Sequence, residues 1–302
     1  MRSLRDWGIL LTKGFAMGAA DIVPGVSGGT IAFISGIYDE LLSTIAGLKL
    51  KMIRELFSEG LKSVWGRYNL SFLAVLAIGV VLGFLSLASV LEYLLRNYPV
   101  ELRGFFSGLV IASVPIIARS VKKWGDSRII ALTLGFVLAF LITSVPPLVQ
   151  SASPLFLFMC GAIAISAMIL PGISGSFVMI ILGAYSTMIT ALDSWDLIKI
   201  FSFMGGAVSG IILFSKALNK LIKSHKDLTF AVLTGFLLGA VKMIWPWKEN
   251  VRILFLHSDC KEEWLMRNLI PSVGTSEILI VFGCVLLGAG FVVSLDRISK
   301  SQ

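Results

Sequence analysis

The sequence predicts an all-α integral membrane protein of two inverted repeats, each a re-entrant broken hairpin followed by three transmembrane helices. Three observations predict it. The 302 residues are 56% hydrophobic and 15% charged, with mean hydropathy +0.90, whereas a soluble domain is about a quarter charged. The 64 residues from Ile129 to Leu192 contain no Asp, Glu, Lys or Arg, enough to cross a ~30 Å hydrocarbon core more than once. Finally, Pro-Gly-(Val/Ile)-Ser-Gly occurs twice inside apolar segments, in "ADIVPGVSGGT" (Ala20 to Thr30) and "ISAMILPGISGSFV" (Ile165 to Val178). Pro and Gly break helices, and broken backbone is costly in lipid unless protein or water satisfies it.

The first element begins like a secretory signal, with Arg2 and Arg5 before an apolar stretch and Gly18-Ala19-Ala20 as a small-residue site. Lys13 interrupts that stretch, and the motif after it recurs deep in the chain. The segment therefore reads as retained. At an offset of 147, Gly14 matches Gly161, Ala20 matches Ala167, Pro24-Gly25 matches Pro171-Gly172, Ser27-Gly28 matches Ser174-Gly175, Gly36 matches Gly183 and Tyr38 matches Tyr185. A polar connector, about Lys49 to Tyr68, then lengthens the first half only. Beyond it, an offset of 127 aligns Gly79 and Gly83 with Gly206 and Gly210, and Ser107-Gly108 with Thr234-Gly235. After a long second-half loop, Trp247 to Thr275, an offset of 148 aligns Leu134-Gly135 with Phe282-Gly283. The whole chain, 1–302, reads as one membrane domain, with repeat one at about 5–148 and repeat two at about 154–297. Internal repeats of this kind build many transporters.

The plain helices are expected near 70–95, 104–118, 127–148, 196–215, 228–245 and 276–296. Charge sets their direction. If each Pro-Gly segment dips in and returns on the same side, and both termini are cytoplasmic, 18 Lys and Arg fall inside and 8 outside. If both segments cross fully, the split is 11 inside and 15 outside. The positive-inside rule selects the re-entrant arrangement. Three crossings then separate the motifs, so the halves are inverted. The same rule accounts for the net charge of +8 without a nucleic-acid partner. Cys160, Cys260 and Cys284 have no CxxC spacing, and His225 and His257 are too few for a histidine metal centre. No metal or other cofactor is expected.

The re-entrant arrangement brings Pro24, Gly25, Ser27, Gly28, Gly29 and Thr30 to mid-membrane from one side. It brings Pro171, Gly172, Ser174, Gly175 and Ser176 there from the other. A new helix begins after each break, near Gly28 and Gly175. Its first N–H groups are unpaired and its dipole end is positive. Two facing helix starts with hydroxyl donors suit a phosphate or carboxylate. The competing reading makes the Pro-Gly pairs simple kinks.

Asp21 lies beside the first break, and Met168 stands at the matching position. Asp21 either carries a coupling proton or sodium ion, or partners Lys13 or a backbone N–H at a helix end. Lys13 reads as snorkelling to the interface. Arg119 and Lys242 end helices and either attract anionic headgroups or anchor the interface. Glu92 and Arg96 read as a surface pair, Gly79/Gly83 and Gly206/Gly210 as close-packing sites, and Trp245-Pro246-Trp247 as an interfacial belt.

"KGFAMGAADIVPGVSGGTIAFISGIYDELL", with "LPGISGSFVMIILGAY" and "VKMIWPWK", resembles the bacterial polyprenyl-phosphate transporter (PopT) family, formerly a domain of unknown function. The resemblance spans most of the chain. It implies a non-enzymatic plasma-membrane flippase returning undecaprenyl phosphate, the lipid carrier of cell-wall synthesis, to the cytoplasmic leaflet. Polyprenyl-phosphate lipid and the bilayer are then the partners, with a homo-oligomer allowed. The second motif has Ser176-Phe177 where the first has Gly29-Thr30, so the halves need not contribute equally. Two other functions compete. A carrier or channel for a small soluble anion would need a closed polar path. A lipid pyrophosphatase would need a His or Asp nucleophile among clustered Arg and Lys, and no segment offers one.

Overall fold

A computed structural model describes residues 2–23, 25–49, 51–145, 152–256, 262–271 and 274–300. Pro24, His257, Cys260 and Lys261 lie outside the described residues, as does the expected end of the 127–148 helix. The first half runs α1 (Leu4–Ile22), α2 (Gly28–Ile34), α3 (Tyr38–Gly47), α4 (Lys51–Glu59), α5 (Leu61–Arg67), α6 (Leu70–Asn97), α7 (Pro99–Ala118) and α8 (Asp126–Ile142). The second runs α9 (Pro154–Ile169), α10 (Gly175–Ile181), α11 (Tyr185–Asp193), α12 (Leu197–Ser224), α13 (Lys226–Ala240), a 3-10 turn (Val241–Ile244), β1 (Lys248–Leu256), β2 (Glu262–Asn268) and α14 (Thr275–Lys300).

Among the described residues, five helices are long and apolar enough to cross a bilayer: α6, α7, α12, α13 with its 3-10 extension, and α14. Counting α10 and α11, bent by 105°, as one span makes six. Leu85, Leu213 and Leu287, each about two-thirds exposed, belong to a surface that water would not tolerate and lipid does. The protein is a multi-pass membrane protein.

The all-α membrane class holds, and the correction falls on the expected second-half loop, Trp247 to Thr275. The long loop after α13 folds into an antiparallel hairpin, with Lys248 opposite Asn268 and Leu256 opposite Glu262. Its first strand, "KENVRILFL", spaces Val251, Ile253 and Phe255 two apart, the period of a strand.

Glycines fix how the helices pair. α1 lies parallel to α6: Gly14 meets Leu76 and Gly79, and Gly83 meets Phe15. α9 lies parallel to α12, with Gly206 against Phe158 and Gly210 against Ala162. A Cβ at Gly83 or Gly206 would collide with a partner carbonyl, so both expected close-packing pairs are borne out. α7 packs parallel to α14, with Gly104 against Val281, Gly108 against Val285 and Gly288 against Phe105. α8 packs parallel to α13, with Gly235 against Leu132, Gly239 against Phe136 and Gly135 against Val232. These contacts correct the last alignment. Gly288 stands to α7 as Gly135 stands to α13, whereas a Cβ on Gly283 would meet open space. The α8 equivalence therefore sits five residues further along α14 than the Gly135–Gly283 match.

Polar contacts define two ends. At one, Arg2 pairs with Glu40 of α3, Asn69 beside α6 donates to Glu40 (2.9 Å), and Ser299 donates to the Ser35 carbonyl (3.0 Å). At the other, Lys242 donates to Ser144 (2.6 Å) and Trp245 to the Leu269 carbonyl (2.8 Å). The starts of α1 and α6 share the first end with α3 and the end of α14. The 3-10 turn and the β-hairpin share the second end with the close of α8.

Candidate functional site: two facing helix breaks

Both breaks use the same backbone device. Gly25 has φ +92° and Gly172 φ +90°; eleven residues later Gly36 has φ +74° and Gly183 φ +71°. These left-handed turns explain why glycine stands at all four positions. Each break releases a short helix, α2 or α10, and the following glycine turns the chain into α3 or α11.

The two breaks meet face to face. The Ser27 hydroxyl donates to the Met168 carbonyl (3.0 Å) and approaches the Leu170 carbonyl (3.3 Å), the last groups of α9. It also accepts from the Gly29 N–H (3.1 Å), capping α2. Thr30 Oγ1 accepts from the Gly172 N–H (3.0 Å), and the Tyr38 hydroxyl donates to the Ile169 carbonyl (3.1 Å). A Cβ on Gly29 would lie 2.7 Å from the Met168 carbonyl oxygen, so only glycine permits the approach. Ser27, Thr30 and Ser174 are buried. The unpaired carbonyls that end α9 are thus satisfied by side chains of the first motif, as buried backbone groups require.

The second motif is equipped differently. Ser174 and Ser176 hydrogen-bond each other (2.8 Å), Ser174 makes no side-chain cap on α10, and Ser176 is partly exposed. The Met168 side chain fills the place beside Gly175 that Asp21 fills beside Gly28.

Asp21 Oδ1 accepts from the Gly28 N–H (2.7 Å), and Lys13 Nζ donates to the Ser35 carbonyl (2.7 Å). The two residues are eight apart on α1, about 12 Å at 1.5 Å per residue. That span matches the length of the seven-residue α2 lying alongside. One side chain of α1 thus holds the positive start of α2 and another its negative end, as helix-dipole complementarity favours. Of the partners weighed for Asp21, the structure shows the backbone N–H. Lys13 is half-buried and bonds the Ser35 carbonyl, the group that Ser299 also reaches at the first end. At the 147 offset the counterparts of this pair are Met168 and Cys160, both uncharged.

The secondary candidates lie away from the breaks. Arg119 is two-thirds exposed, 3.6 Å from Asp296, which also binds Lys300. Lys242 sits on the 3-10 turn, bonded to Ser144 and 4.3 Å from the centre of the Phe140 ring. Residues beside Lys242 do reach the first break: a Cβ on Gly25 would lie 2.9 Å from Ile244 Cγ2 and 3.2 Å from Met243 Cβ. Sequence reasoning missed Tyr38 as a tie between the breaks, although its recurrence in Gly-x-Tyr marked it. It also missed Arg103 and Lys248, which bond the loop after α13.

A family model, VCA0040-like, described as undecaprenyl phosphate translocase-like, matches residues 17–260 and so takes in both breaks and the 3-10 turn. The chain belongs to this undecaprenyl phosphate translocase-like family. A protein of Vibrio cholerae serotype O1 named "Polyprenyl-phosphate transporter" is 37% identical over 294 residues, covering 95% of this chain and 96% of that one. A protein of the same name from Staphylococcus aureus is 33% identical over 259 residues, covering 79% and 86%. No solved structure matches the chain. The family match agrees with the resemblance read from the Pro-Gly motifs.

Proposed function

We propose that this chain is a flippase that carries undecaprenyl phosphate from the outer to the cytoplasmic leaflet of the bacterial plasma membrane, its phosphate held at the two break tips and its isoprenoid tail left in lipid. One observation carries the reading. Two buried helix breaks, far apart in sequence, meet through Ser27, Thr30 and Gly172, and membrane proteins place such backbone where a substrate is handled. The names of the two relatives supply the substrate class.

Several contacts support the re-entrant, inverted topology. α1 and α6 run parallel, and Arg2, Glu40 and Asn69 gather at one end, which suits a first segment that enters and leaves on the same side. α9 and α12 repeat the pattern, starting from the other end. With both termini cytoplasmic, the β-hairpin is external.

The tips do not offer a phosphate the same groups. The Asp21 carboxylate already occupies the start of α2 and would repel a second anion, and the Ser27 hydroxyl is engaged with α9. Among the described residues, the start of α10 has no carboxylate, and its Ser174 and Ser176 hydroxyls bond only each other. We therefore assign the larger share of phosphate binding to Ser174, Gly175 and Ser176. Asp21 is the coupling candidate for protons or sodium, and we read the chain as a carrier, not an enzyme.

The test uses vesicles containing the protein and labelled undecaprenyl phosphate, with headgroup leaflet read by an impermeant quencher. Transfer that depends on protein, and falls about tenfold or more in Ser174→Ala/Ser176→Ala at normal expression, is expected from losing hydroxyl bonds to a charged group. Uptake of soluble phosphate without lipid transfer would replace the flippase with a soluble-anion carrier.

A further inference from the structure

Three cations at the hairpin end differ from the other described cations there. Arg96, Lys199 and Arg267 each pair with a carboxylate: Glu92, Asp196 and Glu249. Among the described residues, Arg103, Lys242 and Lys248 have none. Arg103 and Lys248 both reach the loop after α13, and Lys242 belongs to that loop, its ammonium turned to Ser144 and the Phe140 ring. Lys248 Nζ donates to the Met243 carbonyl, and Arg103 Nη1 reaches the Pro246 carbonyl at 3.4 Å. Arg103 Nη2 also reaches the Met266 thioether at 3.3 Å, a weak acceptor. A guanidinium has five donors in a rigid fork, so among the described residues the half-buried Arg103 uses only part of its hydrogen-bonding capacity. Trp247 Nε1 donates to the Glu277 carboxylate (3.2 Å).

Burial and the charge of Arg103 push the Lys248 ammonium down to about 8. The two cations oppose each other, and an anion between them would relieve that repulsion. The loop they hold also touches the first break, through Met243 and Ile244 against Gly25. It is tied to α7 by Ser107, whose hydroxyl donates to the Ile244 carbonyl (2.6 Å).

We propose that Arg103, Lys242 and Lys248 form a vestibular site for a phosphate group, beneath the β-hairpin and next to the first tip. Its ligand is a phosphate monoester headgroup or free phosphate, which share the chemistry that a guanidinium fork and two ammonium groups recognise. The inference rests on the transport reading for its place in a route: the phosphate is captured here before it reaches the tips.

The test measures binding to the purified full chain in detergent, with inorganic phosphate and a short-chain polyprenyl phosphate as separate probes. The neutral set Arg103→Gln/Lys242→Gln/Lys248→Gln is compared with the charge-keeping set Arg103→Lys/Lys242→Arg/Lys248→Arg. About tenfold or greater loss in the neutral set is expected, from the usual strength of charged hydrogen bonds. The charge-keeping set should retain most of the affinity, and wild-type affinity should weaken with salt. If the neutral set does not fold, Lys242→Gln alone carries the test, because its partners are a surface hydroxyl and a ring face. Loss for the lipid probe, with no wild-type binding of inorganic phosphate, identifies a headgroup site. Loss for inorganic phosphate, with no wild-type binding of the lipid, keeps the site and removes the lipid-transport reading. Unchanged binding in a folded neutral variant, equal loss in a folded charge-keeping set, or no wild-type binding of either probe overturns the proposal.

Discussion

Asp21 lets a structural role be separated from a coupling role by the order of two variants. Its carboxylate accepts the Gly28 N–H at 2.7 Å at the start of α2. A hydrogen bond to a charged group contributes about 1.5–3 kcal/mol net, and a neutral one about 0.5–1.5. A carboxylate at a helix start adds about 0.3–1 kcal/mol more, and up to ~2 when partly buried. Asp21→Asn keeps an acceptor and loses the charge, so about 1–2 kcal/mol is expected to go. Asp21→Ala also leaves the Gly28 N–H without an acceptor, so about 2–4 kcal/mol is expected to go. Thermal unfolding in detergent should therefore rank wild type above Asp21→Asn and Asp21→Ala lowest. Flipping assays with and without an imposed pH or sodium gradient read the second role. If Asp21 also takes the coupling ion, Asp21→Asn keeps lipid-phosphate binding but loses gradient dependence, although it is the milder variant in stability. Equal melting of Asp21→Ala and wild type would refute the capping argument. Full gradient-driven transport by Asp21→Asn would refute the coupling one.

Two further outcomes follow from contacts elsewhere. Gly288→Ala, whose Cβ would strike the Phe105 carbonyl, should loosen the α7–α14 seam and lower the melting point, while Gly283→Ala meets open space and should not; equal effects would restore the 148 offset. The Lys248 ammonium, held near 8 by burial and Arg103, is charged below that pH and neutral above it, so phosphate binding should weaken as pH rises through about 8, and Lys248→Arg should abolish that dependence in a titration followed by calorimetry.

The positions of the breaks and of the long helices were legible because Pro, Gly and charge leave marks that need no partner. Pro-Gly ended α1 and α9 where expected, and the GxxxG pairs packed as their spacing implied. What stayed hidden depends on partners distant in sequence. Several glycines of α14, at 283, 288 and 290, offer competing registers, and only the facing carbonyls of α7 choose among them. Arg103 and Lys248 lie 145 positions apart and read separately as ordinary loop and helix-end charges. The role of Lys13 was hidden for another reason: α2 is too short for its own residues to announce that its ends need neutralising. The β-hairpin was legible in principle, from the two-residue period of its first strand, but polar neighbours made the segment look like loop.

The contrast between the halves bears on how the tips divide their work. A charged pair on α1 costs desolvation wherever it is buried, and that cost is repaid only if each charge meets an opposite pole. Asp21 and Lys13 do so at the two ends of α2, which fixes that helix against α1. Met168 and Cys160, at the matching places on α9, leave α10 without an equivalent brace. The first tip in turn supplies Ser27, Thr30 and Tyr38 to the backbone of the second, whereas among the described residues the hydroxyls of Ser174 and Ser176 bond only to each other. One copy is thus spent on holding the other in place, and the donors not committed to backbone are on the copy being held. A substrate phosphate arriving between them would meet a neutralised helix start on one side and an uncompensated one on the other. That difference favours the second tip as the binding partner and the first as its support, and it gives Asp21 a reason to titrate only if the phosphate comes close enough to raise the cost of its charge.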